Sequence, residues 1–110
     1  MRVFISILFS LTLVVGTAQA QTSTGSVPVA AIRTGWMNDL FAVDTGGTYL
    51  NPANCQVTDG YYASGANPGY KTYYAVALLA FAMGKNVTVI LSNSECTELR
   101  PRIIGITIAK

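Results

Sequence analysis

Between Asn67 and Gly84 lies the stretch that most restricts how this chain can fold: Asn-Pro-Gly-Tyr-Lys-Thr-Tyr-Tyr-Ala-Val-Ala-Leu-Leu-Ala-Phe-Ala-Met-Gly. Asn67 is suited to cap a helix through its side-chain oxygen, and Pro68 fits the first helical position. Gly84 can close the helix in a left-handed conformation, which sets Lys85 beside the negative end of the dipole. The signals predict a helix of about sixteen residues, a usual length. Tyr70, Tyr73, Tyr74, Ala77, Leu78 and Phe81 recur at helical spacing and form one broad apolar face. The rest of the cylinder carries Ala75, Val76, Leu79, Ala80, Ala82 and Met83, so no polar face balances it.

A helix that is apolar on all sides must be buried all round or lie in a membrane. A bilayer span takes about twenty apolar residues, and this run is shorter. One small domain shelters only one side of such a helix. The other side is therefore expected to meet another copy of the chain, through Ala75, Leu79 and Ala82. The alternative is a helix sunk beneath the long loops of a monomer.

Residues 1–20 read as a signal peptide rather than as part of the fold. Arg2 gives a positive start, Val3 to Val15 is almost wholly apolar, and Ala18-Gln19-Ala20 is a small-residue cleavage pattern. Removal after Ala20 leaves 90 of the 110 residues, beginning at Gln21. The product is expected to be secreted or periplasmic, with no membrane span in the mature chain. Ninety residues make one small domain with little margin of buried area. Residues 21–26 are rich in Thr, Ser and Gly and read as a flexible leader, followed by a single domain over 27–110. Cys55 and Cys96 both fall in that domain, and an even count in an exported chain reads as one disulfide. Metal binding by the pair is the weaker reading, because the chain has no histidine and neither cysteine has a second one near it.

Arg2 leaves with the leader, so six basic residues face five acidic ones and the net charge is +1. That is not the footprint of a nucleic-acid binder. Few charges and much apolar surface again favour assembly.

From Val27 the pattern becomes strand-like, with Ala30, Ile32, Thr34 and Trp36 alternating with Ala31, Arg33, Gly35 and Met37. Asn38-Asp39 reads as a turn and Leu40 to Thr45 as a second strand. Cys55 to Thr58 and Tyr61-Tyr62 form a third extended region, split by Asp59-Gly60. After the helix, Val87 to Leu91 is strongly β-prone, Ser92 to Arg100 reads as a polar loop, and Ile103 to Ile108 is the last strand. Three strands, one helix and two strands match the OB-fold, a five-stranded Greek-key barrel with the helix between strands 3 and 4. An α+β antiparallel sheet with one covering helix is the alternative.

Over Tyr73 to Val89 the chain resembles the B subunit of subtilase cytotoxin and small exported proteins like it. The shared pattern is a tyrosine-led, alanine- and leucine-rich helix, then a glycine, a polar pair and a strand beginning with valine. Cysteines before the helix and after the next strand also look like those of the small relatives. The resemblance covers Cys55 to Ile108, and before that rests on strand order. It implies an OB-fold assembled as a homo-pentamer, binding of cell-surface glycans, and a catalytic A subunit as partner. It also has departures. A sugar-contacting tyrosine in the strand after the helix is replaced here by Leu91. The serine and aspartate of the first strand region have no clear match, although Asn38 and Asp39 lie nearby.

Enzyme chemistry finds no support in the residues, and no cofactor is implied. No histidine can serve as a base, and Asp39, Asp44, Asp59, Glu95 and Glu98 show no spacing that predicts a carboxylate pair. No glycine loop has the form that cradles phosphate. Trp36 can stack on the apolar face of a sugar with Asn38 and Asp39 bonding its hydroxyls, and Tyr61 and Tyr62 form a second aromatic cluster. These five are the candidate ligand contacts; the plain reading of each aromatic is core. Asn86-Val87-Thr88 matches a glycosylation acceptor but reads more simply as a turn entering a strand. Arg100-Pro101-Arg102 reads as a solvated loop. The reading that competes with a binding subunit is an exported structural or inhibitory protein that docks another protein on its helix face.

Overall fold

The computed structural model describes residues 20–35 and 38–110. Trp36 and the segment before Ala20 that reads as a signal peptide lie outside the described residues. The elements run β1 (Gln21–Val27), β2 (Ala31–Thr34), β3 (Leu40–Asp44), β4 (Tyr61–Ser64), α1 (Tyr70–Met83), β5 (Val87–Thr97) and β6 (Arg100–Ile108). The strands form one six-stranded sheet in the order β1-β5-β6-β4-β3-β2. Neighbours are antiparallel except β4 and β6, which meet in parallel at Tyr62 and Arg102. Among the described residues the protein is thus mainly β, with one helix between β4 and β5.

The expected five-stranded barrel is corrected by this sheet, which has six strands and is open. Its two edge strands, β1 and β2, are nevertheless consecutive in the chain. Val27 and Ala31 are four residues apart, so the edges approach within about 14 Å at that corner. The sheet must coil strongly to allow this, yet no ladder joins β1 to β2 among the described residues.

The sixth strand comes from residues expected to be a flexible leader. Gln21–Val27 pairs antiparallel with β5, from Gln21 opposite Ser92 to Val27 opposite Val87. A bulge between Ser23 and Ser26 breaks the register, and Thr24 Oγ1 fills the gap by accepting from the Val89 N–H at 3.0 Å. Thr22 Oγ1 donates to Asn93 Oδ1 at 2.5 Å. Other boundaries shift for similar reasons. Cys55 to Thr58 is irregular rather than extended, and the polar stretch 92–100 is a hairpin instead of a loop, with β5 continuing to Thr97.

The core lies between the sheet and α1. Phe41, Val43, Tyr61, Ala63, Val87, Val89, Leu91 and Ile103 meet Ala77 and Ala80 of the helix. Alternation along β3 and β4 sends Phe41, Val43, Tyr61 and Ala63 to this side and Leu40, Ala42 and Tyr62 to a second, smaller cluster. The Phe41 ring bridges the layers, 5.6 Å from Tyr70 and 5.3 Å from Tyr74. Tyr73 reaches over the sheet and donates to the Ile104 carbonyl at 2.8 Å.

The helix ends where expected and starts later. Gly84, at φ 65°, closes it, with its own N–H on the Phe81 carbonyl (3.3 Å) and the Lys85 N–H on the Ala80 carbonyl (2.9 Å). At the other end Gly69 (φ 81°), not Asn67, holds the cap position, without a side-chain capping bond. Tyr73 occupies the space where a side chain at 69 would be: a Cβ there would sit 2.4 Å from Tyr73 Cζ. Gly69→Ala is therefore expected to destabilise by about 1–2 kcal/mol from the left-handed backbone alone, and by more because Tyr73 must leave its bond to Ile104. Gly84→Ala, with open space around its Cβ, should show the backbone effect only. Thermal melts of the two variants check this; equal losses would mean that Tyr73 yields without consequence.

Candidate functional site

Two surfaces stand out, and the first is the outer side of α1. Ala77 and Ala80 are buried and Tyr70, Tyr73 and Tyr74 are half-buried against the sheet. The opposite side shows Ala75, Ala82, Leu78 (45 % exposed), Leu79 (51 %) and Met83 (54 %), with Phe81 (49 %) on its flank. Leu78 and Phe81, read from spacing as part of the inward face, thus face water. Inward contact is made through Ala77, Ala80 and the three tyrosines, while Leu78, Leu79, Phe81 and Met83 stay about half in water. No helix among the described residues is long and apolar enough to cross a membrane.

The second surface lies where the β2–β3 corner meets the end of β4 and the start of α1. Pairing of Leu40 with Ser64 brings Asp39 against Gly65, whose N–H donates to the Asp39 carbonyl at 2.7 Å. Two shallow depressions open on either side of this contact. One, of about 390 Å³, is lined by Asn38, Asp39, Ser64, Gly65, Ala66 and Glu98. The other, of about 340 Å³, runs from Asp39 and Asn67 to Tyr70 and Lys71. Asn38 and Asp39 are both exposed, so their side chains are free to meet a polar ligand.

Asn67 supports this corner instead of capping the helix. Its Oδ1 accepts from the Ser64 N–H (2.8 Å) and from Thr97 Oγ1 (3.0 Å). Thr97 in turn accepts from Arg102 Nε (2.9 Å), and Arg102 pairs with Glu95 at 2.6 Å. The hairpin tip that carries Glu98 is held from outside. Glu98 (φ 47°) and Leu99 (φ 68°) both have positive φ, as a two-residue hairpin demands, without glycine or asparagine to ease it. The Leu99 carbonyl accepts from the Val57 N–H at 3.0 Å, and the Cys55–Cys96 disulfide ties the same two segments. Sequence reading missed Glu98 as part of the site because the hairpin lacks the usual turn residues.

The structure does not bring Tyr61 and Tyr62 to this surface. Both are core residues, 2 % and 1 % exposed, and neither offers a ring face to a ligand. Tyr61 packs edge-on against Tyr49 at 5.1 Å, and its hydroxyl accepts from the Leu50 N–H at 3.0 Å. Burial pushes its phenol above the ordinary value. Tyr62 lies under two guanidinium groups, Arg100 at 4.8 Å and Arg33 at 5.8 Å from the ring centre. Arg100 grips Asp59 with two bonds, at 2.8 and 3.3 Å. The pair of aromatics is a structural unit, in keeping with the plain reading of both as core and not with their candidacy as ligand contacts.

Two carboxylates tie stability to pH. The Arg100 bond holds Asp59 below the ordinary carboxylate range, and the Tyr49 hydroxyl, aided by the Gly46 N–H at 2.8 Å, does the same for Asp44. A depressed folded-state pKa means that the unfolded chain takes up protons first as pH falls. The stabilisation is therefore complete above the ordinary carboxylate range and is lost as pH drops through it and below. Melting temperature should be flat near neutrality and decline in acid. Asp44→Asn together with Asp59→Asn should flatten the decline, as thermal melts at stepped pH will reveal.

No protein-family model, curated protein or solved structure matches this chain.

Proposed function

We propose that this protein is an exported, non-catalytic binding subunit that assembles with copies of itself through the outer side of α1. In this reading it recognises cell-surface glycans at the corner around Asn38 and Asp39. The observation that carries it is the gathering on one helix of four large apolar side chains, Leu78, Leu79, Phe81 and Met83, each about half in water. Burying the exposed half of each contributes about 1 kcal/mol, so about 4 kcal/mol per chain. Two chains bring about 8 kcal/mol against an association cost of about 4–15 kcal/mol. One helix face alone supports at most a weak dimer, so a tight assembly needs further contacts, for which the edge strands β1 and β2 are placed.

The strand path also supports the reading. A coiled sheet with parallel β4 and β6 and a helix leading from β4 to β5 is an OB-type path, and such barrels are partly open. The resemblance adds a ring of five and a separate catalytic partner to the proposal.

Light scattering on the mature, oxidised protein tests assembly: the expected mass at micromolar concentration is a multiple of one chain. Leu79→Glu places a charge in the contact and should return a single chain with unchanged far-UV circular dichroism. A wild-type monomer would remove the homo-oligomer and favour docking of another protein on α1. Glycan-array binding that disappears in Asn38→Ala or Asp39→Ala is the expected result for the corner; a blank array removes the sugar reading.

A further inference from the structure

Cleavage after Ala20, which rests on the proposed export, makes Gln21 the first residue. We propose that Gln21 then closes on itself as pyroglutamate. The freed α-amino nitrogen attacks Cδ of the residue's own side-chain carboxamide and a five-membered lactam forms. The side-chain nitrogen departs as ammonia, carrying the proton that the amine gives up. One C–N bond forms as another breaks, and no oxidant or second reactant is required.

The placement of Gln21 favours this closure. It opens β1 opposite Ser92 and is exposed, and its carboxamide makes no hydrogen bond among the described residues. The next residue is fixed, with Thr22 bonded to Asn93 and paired opposite Leu91. The Ala20 carbonyl still reaches the Asn93 N–H at 3.2 Å, so the new amine emerges where the ladder ends and not from a long tail. A free side chain beside a held backbone can fold back on its own nitrogen without disturbing the sheet. The lactam retains a ring N–H and the main-chain carbonyl, so β1 keeps its groups for pairing.

The product protects a vulnerable strand. β1 is polar, lies at the sheet edge, and is paired over residues that include the fully buried Leu91 and Val87. An aminopeptidase working inward from Gln21 would strip the ladder that covers this end of β5. A lactam offers such an enzyme no free α-amine.

The test exports the full chain from a producing cell and reads intact mass and N-terminus at collection, before storage permits slow closure. The expected product spans residues 21–110, is lighter by one ammonia, and gives no stepwise sequence until pyroglutamyl aminopeptidase acts on the unfolded chain. Gln21→Ala, cut at the same bond, should keep its full mass and read from the first cycle. It should also be trimmed by an aminopeptidase that leaves the wild type whole. A readable Gln21 at full mass overturns the closure and leaves export standing. A first residue elsewhere in the chain overturns both.

Discussion

Replacing Cys55 and Cys96 together by alanine should lower the folding stability by about 4 kcal/mol, the chain-entropy value for a loop of this size. The two residues are 41 apart in sequence, with Cα atoms 5.9 Å apart. In a domain of about ninety residues each kcal/mol moves the melting temperature by about 4–8 °C, so the variant should melt some tens of degrees lower. The native contacts around the bridge do not depend on it. Asn51 wraps the Cys55 peptide from both sides, accepting from its N–H at 2.7 Å and donating to its carbonyl at 2.9 Å. Cys96 sits in the β5–β6 ladder opposite Pro101. The loss should therefore come chiefly from the greater freedom of the unfolded chain, and the folded circular dichroism spectrum should survive. Reductant should lower the wild type to the level of the double variant and leave the variant unmoved. Equal melting of oxidised and reduced wild type would show that the crosslink constrains nothing that Asn51 and the hairpin do not already hold.

How much the sequence disclosed depends on how much local chemistry each residue carries. Gly84 announced the end of α1 because few residues take its φ, and the β-prone run Val87 to Leu91 announced β5. The crosslink between Cys55 and Cys96 was legible from their number alone. Elements fixed by distant partners were harder to read. β1 carries no large apolar residue before Val27, so nothing in Gln21–Ser26 signals a strand; its pairing is dictated by the free edge of β5. Asn67 looked like a cap because it stands before Pro68, but Thr97, thirty residues on, draws its side chain away from the helix. The helix was read as apolar all round, and its outer side is indeed in water, although the division between the two sides was misplaced at Leu78 and Phe81. Of the candidate ligand contacts, Asn38 and Asp39 are gathered at one exposed corner with Glu98. Tyr61 and Tyr62, weighed as ligand contacts against the plain reading of core, lie in the core, where Arg33, Arg100 and the β6 crossover, none of them adjacent in sequence, cover them.

The second large effect concerns Phe41, which is fully buried and joins the sheet to the helix. Truncation of a buried phenylalanine costs about 3–5 kcal/mol, part lost transfer energy and part cavity. Phe41→Ala would remove the ring against which Tyr70 and Tyr74 lean, leaving α1 seated chiefly on Ala77, Ala80 and Tyr73. Those contacts are small, so the helix should loosen before the strands separate. Denaturant unfolding would then show an earlier helical transition, followed by far-UV and near-UV signals that no longer coincide. Phe41→Leu keeps much of the volume and should lose far less, with a single transition retained. If assembly proceeds through α1, Phe41→Ala should also weaken it without altering any exposed residue, whereas Leu79→Glu should abolish assembly and leave stability nearly intact. The two variants therefore separate a helix that is poorly held from one that is well held but carries the wrong surface. A Phe41→Ala protein as stable as wild type would mean that the tyrosines alone anchor α1, and the bridging role of the ring would have to be abandoned.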